Sequence, residues 1–192
     1  MIGAAQSIHE HLARLVVYPD ETFHEDVAGC RAALQSDHPE AGTAVRCFEE
    51  AIRDDTVEEV DELFTRTFDI NPVCSLEVGW QLFGENYGRG EFLVPMRQVM
   101  READLPESSE LPDHLMHVLL ILGRAPREWA DEFAAMCVIP AIDKMLKGLK
   151  GKSNPYANVL QAIRDVIAER HATAASESNL LEGEPWTPQL HS

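Results

Sequence analysis

Apolar residues recur at spacings of three and four along almost the whole chain, which is the period of an amphipathic helix. Alternation of the kind that marks β-strands is scarce. The clearest stripes are Ile8, Leu12, Leu15 and Val16; Phe23, Val27, Cys30 and Leu34; Ala41, Val45, Phe48 and Ile52; Val57, Val60, Phe64 and Phe68; and Val159, Leu160, Ile163, Val166 and Ile167. A length of 192 residues is typical of one domain. The pattern therefore predicts an all-α, single-domain helical bundle of about nine helices.

Several helix boundaries can be predicted from local signals. Ser7 with Glu10, and Thr56 with Glu59, are capping boxes that satisfy two free amides at a helix entrance. The fourth helix should end near Asp69–Pro72, and a fifth should run from about 75 to 83, with Leu76, Gly79, Trp80 and Phe83 on one face.

The middle of the chain is predicted to contain a glycine-rich loop, 84–90, a sixth helix, 91–103, with Pro95 in its first turn, and a loop, 105–110. Pro112 should open a seventh helix that Gly123 ends, and Pro126 should begin an eighth that is kinked or split at Pro140. Residues 148–155 should form a basic flexible linker.

The two ends of the chain differ from the helical region. Residues 172–192 have no apolar period and include two prolines and several small residues. We therefore expect an all-helical domain, residues 1–171, and a flexible C-terminal tail, residues 172–192. The N-terminal residues lack the basic segment of a signal peptide, and no apolar run approaches the ~20 residues of a spanning helix. A cytoplasmic location without membrane insertion is expected.

The charge balance restricts the class of partner. Lys and Arg number 16 against 33 Asp and Glu, which gives a net charge of −17. Such a surface repels nucleic acid, and it attracts a basic peptide. A soluble protein could also carry this charge for solubility alone. The four cysteines, at 30, 47, 74 and 137, have no zinc-site spacing and are expected to be reduced; Cys74 and Cys137 should be inert buried thiols.

Three short segments stand out in the order Tyr18-Pro19-Asp20, Gly84-Glu85-Asn86-Tyr87-Gly88-Arg89-Gly90 and Glu110-Leu111-Pro112-Asp113-His114-Leu115. Over about residues 12–126 the chain resembles the nitrate reductase delta-subunit type of molybdoenzyme assembly chaperone, one of the redox enzyme maturation proteins. The resemblance implies a cytoplasmic, non-enzymatic chaperone that holds the N-terminal or leader segment of a molybdoenzyme catalytic subunit during cofactor insertion. The chaperone would bind no permanent cofactor, although contact with the client's molybdenum cofactor is compatible with this role.

The same resemblance implies a client-binding groove. Its residues in this sequence are Glu110, Leu111, Pro112, Asp113, His114, Leu115, Leu76, Trp80, Phe83 and Arg89. Carboxylates could accept hydrogen bonds from a basic leader, and a tryptophan offers a large apolar contact area. The chain departs from the family at Met116 and Leu120, which make this helix more apolar, and only faintly echoes the family's C-terminal acidic and aromatic segment in Glu182-Gly183-Glu184-Pro185-Trp186.

Each of these residues also has a plain structural interpretation. Asp113 could stabilise the first turn of its own helix, beside a partly exposed His114, and Trp80 could be ordinary core. Arg89 could anchor a loop through a carboxylate. Tyr18-Pro19-Asp20 is interpreted as structural, with Asp20 accepting from amides near Phe23.

Three functional classes stay open at the level of sequence. The first is the maturation chaperone, and the second is a permanent structural subunit of the mature enzyme. The third is a hydrolase or metal-dependent enzyme built on Asp113, His114 and His117, with Glu110 one turn earlier, although the helix lacks the second histidine of a His-Glu-x-x-His motif. We expect no resident metal and a monomer or weak dimer, with helix swapping through residues 148–155 as a route to the dimer.

Overall fold

A computed structural model describes residues 7–106 and 108–171, and within these ranges the chain is helical without a strand. The α-helices are α1 (Ile8–Arg14), α2 (Phe23–Leu34), α3 (Pro39–Ala51), α4 (Val57–Phe68), α5 (Val78–Phe83), α6 (Tyr87–Glu102), α7 (Leu115–Leu122), α8 (Arg127–Phe133), α9 (Ile139–Leu149) and α10 (Tyr156–Arg170). A 3₁₀ turn, Pro72–Cys74, precedes α5, and a π-helical segment, Ala134–Val138, joins α8 to α9. If α8, the π-helical segment and α9 are counted as one rod, the described residues form nine helices. The predicted all-α class is confirmed.

Both capping boxes form as predicted. The Ser7 hydroxyl accepts from the Glu10 amide while the Glu10 carboxylate accepts from the Ser7 amide, and Thr56 and Glu59 repeat the arrangement at α4. Helix α4 ends at Phe68, shortly before Pro72, as the proline signal indicated. Local sequence therefore determines these helix ends without help from the rest of the fold.

The core lies where α3 packs on α2 and α10, and where α10 packs on α9. Tyr156, at the start of α10, contacts the rings of Phe48, Phe64 and Phe68, with centroid separations of 4.8, 5.8 and 5.0 Å. Helix α1 packs against α2 and α7 and so joins the two halves of the chain. The predicted apolar stripes of α2 and α3 are all buried.

The predicted boundaries around residues 84–95 are wrong. Helix α6 begins at Tyr87, because Asn86 caps it by accepting from the Gly88 amide, so only Gly84–Asn86 form a loop. Pro95 therefore lies inside α6 rather than in its first turn, and the backbone there loses one helical hydrogen bond. The preceding helix is also shorter than predicted, since α5 begins at Val78 and Leu76 lies in the extended segment before it.

Two further predictions concern prolines. Pro112 does not open α7, which begins at Leu115 after the cap residue His114, so that prediction is wrong. Pro140 lies in the first turn of α9, directly after the π-helical segment that separates α8 from α9 and in which the Ile139 amide donates to the Ala134 carbonyl. A π-helical turn accommodates the proline because it relaxes the i to i−4 register that the ring would obstruct.

The segment predicted as a flexible linker, 148–155, is an ordered turn. Gly148 belongs to α9, and the Asn154 side chain donates to the Thr67 hydroxyl while accepting from the Tyr156 amide. The predicted tail, 172–192, including Glu182-Gly183-Glu184-Pro185-Trp186, lies outside the described residues. No helix in the described ranges is both long and apolar enough to cross a membrane.

Candidate functional site

The segment before α5 and the segment before α7 are joined to each other, although they lie about 35 residues apart in sequence. The Val78 amide donates to the Asp113 carbonyl at 2.9 Å, and the Leu115 amide donates to the Leu76 carbonyl at 2.9 Å. These bonds flank an isolated antiparallel bridge between Glu77 and His114. The structure therefore brings together the two groups of residues that the sequence motifs predict for one site.

Asp113 is the central side chain of this junction. It is fully buried, and its Oδ2 atom accepts from the Gly79 amide at 3.0 Å. Gly79 lies in the first turn of α5, whose own cap residue, Glu77, makes no side-chain capping bond. Asp113 was expected to stabilise the first turn of its own helix, and that interpretation is wrong; it caps α5 from 34 residues away.

Gly79 is what allows this close approach. A Cβ atom at Gly79 would lie 2.7 Å from Asp113 Oδ2 and 2.9 Å from a carbon of the Phe92 ring. Any side chain there would displace the carboxylate or the ring. No signal near Gly79 in the sequence indicates this role, because the contact depends on how two remote segments meet.

Arg89 connects the buried carboxylate to the surface. Its Nε atom lies 3.8 Å from Asp113 Oδ2, and its guanidinium lies 5.4 Å from the Trp80 ring centroid. The Arg89 side chain is 23% exposed, so one end of it reaches solvent. The structure thus has the carboxylate partner that the anchoring interpretation of Arg89 required, although Arg89 is helical and not in a loop.

The Asp113–Arg89 pair is incompletely hydrogen-bonded. Asp113 Oδ1 and Arg89 Nε are both buried and have no hydrogen-bond partner in the structure. Burial raises the pKa of Asp113 from an ordinary 3.8 to about 6, against the opposing effects of Arg89 and the Gly79 amide. The carboxylate is therefore held in an environment that favours its neutral form.

His114 is 6% exposed, so the expectation that it would be a partly exposed neighbour is wrong. Its Nδ1 atom accepts from the Met116 amide at 3.2 Å and thereby caps α7. Burial lowers the pKa of His114 to about 4, which keeps this acceptor unprotonated at neutral pH. Its Nε2 atom lies 3.9 Å from a carboxylate oxygen of Glu110.

His117 uses both ring nitrogens within the protein. Its Nδ1 atom lies 2.9 Å from the Leu111 carbonyl, to which it donates, and its Nε2 atom lies 3.0 Å from the Ser108 hydroxyl, from which it accepts. The rings of His114 and His117 are 6.5 Å apart. Residues 7–106 and 108–171 contain no group of three or more His, Cys, Asp or Glu placed to hold a metal ion.

The remaining site residues divide by exposure. Leu76, Pro112 and Leu115 are buried, whereas Trp80, Phe83 and Glu110 are partly exposed and Leu111 is 41% exposed. Trp80 donates its ring N–H to the Pro72 carbonyl at 2.8 Å, and Phe83 packs on Phe92 with centroids 5.6 Å apart. The surface of the site is therefore a strip of apolar side chains beside one acid and one arginine.

Two exposed apolar residues near this strip were missed. Tyr87 is 81% exposed and Val94 is 75% exposed, and their spacing of seven places both on one face of α6. The spacing of seven is present in the sequence. Because Tyr87 was predicted to lie in a loop and not in α6, the shared face was not predicted. A shallow depression beyond them is lined by Arg97, Met100, Arg101, Leu105, Ser108, Glu110 and Pro112.

All four cysteines are free thiols in the structure. Cys30, Cys74 and Cys137 are buried, and Cys47 is exposed. Burial raises the pKa of Cys74 to about 11 and raises that of Cys137 further, so both are protonated at neutral pH.

The fold and the site define a helical protein in which two remote segments form one partly apolar surface around a buried acid. The model of the nitrate reductase delta subunit family matches residues 34–162, which is more than half of the chain. The chain belongs to the nitrate reductase delta subunit family, whose role is chaperoning the maturation of molybdoenzymes rather than catalysis. No curated protein matches the chain.

The match extends further along the chain than the motifs did. It runs through α9 into α10, beyond the limit near residue 126 that the motifs indicated. It includes both segments of the candidate site but not Tyr18-Pro19-Asp20. There, the Asp20 carboxylate accepts from the amide and hydroxyl of Thr22, the residue directly before Phe23, as predicted.

Proposed function

We propose that this chain binds the N-terminal region of an apo-molybdoenzyme catalytic subunit in the cytoplasm and holds it open for cofactor insertion. The client would be nitrate reductase or a related respiratory oxidoreductase, and the molybdenum cofactor belongs to that client. The observation that carries the proposal is the family match over a region that contains both segments of the candidate site. The chaperone acts as a monomer or weak dimer.

The buried and exposed residues have different tasks in this proposal. Asp113 and His114 are positioning residues, because they are buried and their polar atoms cap α5 and α7. Leu111, Trp80 and Phe83 contact apolar side chains of the client, since they are the partly exposed apolar residues of the strip. Glu110 and the net charge of −17 favour a basic leader and speed its encounter with the chaperone.

The test is affinity purification of the tagged chain from its native host, grown by anaerobic respiration, with mass spectrometry and molybdenum analysis of the retained proteins. Recovery of a catalytic subunit lacking its cofactor supports the proposal. Failure to recover such a subunit, although the client is expressed, overturns it. Stoichiometric recovery of the complete, cofactor-loaded enzyme overturns it in favour of a permanent subunit.

Variants localise the contact. Leu111→Ser should lower the recovered client at least several-fold, because it removes an exposed apolar contact without touching the core. Ala51→Ser is the control, since Ala51 is also apolar and exposed but lies at the end of α3, which packs on α2 and α10. Equal loss in both variants would argue against this surface.

A further inference from the structure

The lysines of this protein are confined to one short segment. All four, Lys144, Lys147, Lys150 and Lys152, lie within nine residues at the end of α9 and in the turn that follows, in a chain whose net charge is −17. All four are exposed. We refer to these four residues and Val73 as the lysine surface.

Helix α9, which carries the first two lysines, contacts both α5 and the 3₁₀ turn. Lys144 donates its ammonium to the Gln81 carbonyl of α5 at 2.6 Å. Gly148 packs against the 3₁₀ turn so closely that a Cβ there would lie 2.7 Å from a methyl carbon of Val73. Val73 is itself 59% exposed. An exposed apolar side chain thus lies against the end of α9, the helix that carries Lys144 and Lys147.

The lysine surface is not neutralised by carboxylates in the described part of the chain. Eight arginines form ion pairs with carboxylates, but within residues 7–106 and 108–171 no lysine does. Lys147 lies in the last turn of α9, where a positive charge stabilises the helix end. Lys150 and Lys152 follow the helix, and the charge of Lys152 opposes the rise in the pKa of Cys74 that burial causes.

A segment of this chain has the complementary chemistry. Residues 172–192 contain Glu177, Glu182 and Glu184 and no lysine or arginine, and they include Leu180, Leu181 and Trp186. We propose that residues 172–192 dock on the lysine surface, with their glutamates paired to the lysines and their apolar side chains packed on Val73.

The chain is long enough to make this contact. Helix α10 packs against α9 after a short turn, so His171 lies at the end of α10 remote from the lysine surface. The 15 residues of α10 span about 22 Å, and the nine residues from 172 to 180 can extend over about 30 Å. Leu180 and the residues after it can therefore reach Lys150 and Lys152.

Other occupants are less favourable on charge. A second copy of the chain, an anionic membrane and nucleic acid would each be repelled by the net charge of −17. The tail is tethered to the same chain, which gives it an effective concentration on the order of millimolar. Docking would place it beside α5 of the candidate site, but the proposal does not depend on the proposed function.

The test uses zero-length cross-linking of the full chain with a water-soluble carbodiimide, which joins a lysine amine to a carboxylate in contact with it. We expect cross-links from Lys147, Lys150 or Lys152 to Glu177, Glu182 or Glu184, and a loss of at least several-fold in 1 M salt, where screening acts over about 3 Å. In an equimolar mixture of ¹⁵N-labelled and unlabelled chain, both peptides of each cross-linked pair should carry the same label, because the contact lies within one chain.

The control compares two triple variants of equal charge. Glu177→Gln, Glu182→Gln and Glu184→Gln together should leave Lys144, Lys147, Lys150 and Lys152 without tail cross-links, whereas Glu21→Gln, Glu40→Gln and Glu128→Gln, at exposed positions elsewhere, should leave the cross-links unchanged. Cross-links only to carboxylates of residues 7–171 would overturn the proposal. Mixed-label pairs would overturn it in favour of a second copy.

Discussion

Replacing Asp113 with asparagine should change how the stability of this protein depends on pH. Burial raises the pKa of Asp113 from an ordinary 3.8 to about 6, with Glu77 adding to the effect and Arg89 and the Gly79 amide opposing it. Each pKa unit corresponds to about 1.4 kcal/mol, so the difference between folded and unfolded chains corresponds to about 3 kcal/mol. The asparagine side chain keeps an oxygen that can accept from the Gly79 amide, but it does not titrate.

Whether stability rises or falls with pH depends on which state, folded or unfolded, binds the Asp113 proton more tightly. The folded pKa is the higher one, so between pH 3.8 and 6 the unfolded chain has already lost this proton while the folded chain retains it. Raising the pH through this window therefore favours unfolding. The free energy of unfolding of the wild type, minus that of Asp113→Asn, should fall by about 2–2.5 kcal/mol between pH 4 and pH 7.

The assay is urea unfolding followed by circular dichroism at half-unit steps of pH, with both proteins in the same buffers. Taking the difference between the two proteins cancels the titration of the other carboxylates. Asp20→Asn is the control, because hydrogen bonds from Thr22 lower the pKa of the exposed Asp20, and its difference should have the opposite slope. A flat or rising difference for Asp113 would show that the attraction of Arg89 outweighs burial, and would refute the reasoning.

Three other substitutions test packing and capping. Gly79→Ala should lower the free energy of unfolding by about 1–3 kcal/mol, because its Cβ would overlap Asp113 and Phe92; an unchanged urea midpoint would contradict the close approach. Tyr156→Phe should leave the melting temperature unchanged or raise it, since it removes a buried hydroxyl without a hydrogen-bond partner, and a clear loss would mean that the hydroxyl is bonded. Thr56→Ala should cost about 1 kcal/mol in urea unfolding, and Thr56→Ser, which keeps the hydroxyl, should restore it.

The sequence was sufficient where the interactions are local. The capping boxes at Ser7 and Thr56, and the end of α4 before Pro72, depend on residues within one turn of each other. The apolar stripes of α2 and α3 predicted buried faces correctly, because helical periodicity alone decides which side chains share a face. The family resemblance, carried by short motifs, also placed the chain in the family that the comparison shows.

The candidate site was only partly predictable. Its two segments were named from motifs, but the role of Asp113 was assigned to the wrong helix. Nothing near Asp113 in sequence indicates that its carboxylate reaches Gly79, because the contact spans 34 residues and needs a glycine at the point of approach. The early start of α6 was missed because Gly88 and Gly90 resemble a loop, although Asn86 caps the helix before them.

The helical class, the helix ends marked by capping boxes or a following proline, and the faces that enter the core could thus be predicted from the sequence, since these follow from backbone hydrogen bonding and periodicity over a few residues. The helix that Asp113 caps, the burial of His114 and the contact of Lys144 with α5 could be seen only in the tertiary structure. These features depend on segments that are remote in sequence and meet only when the core has formed.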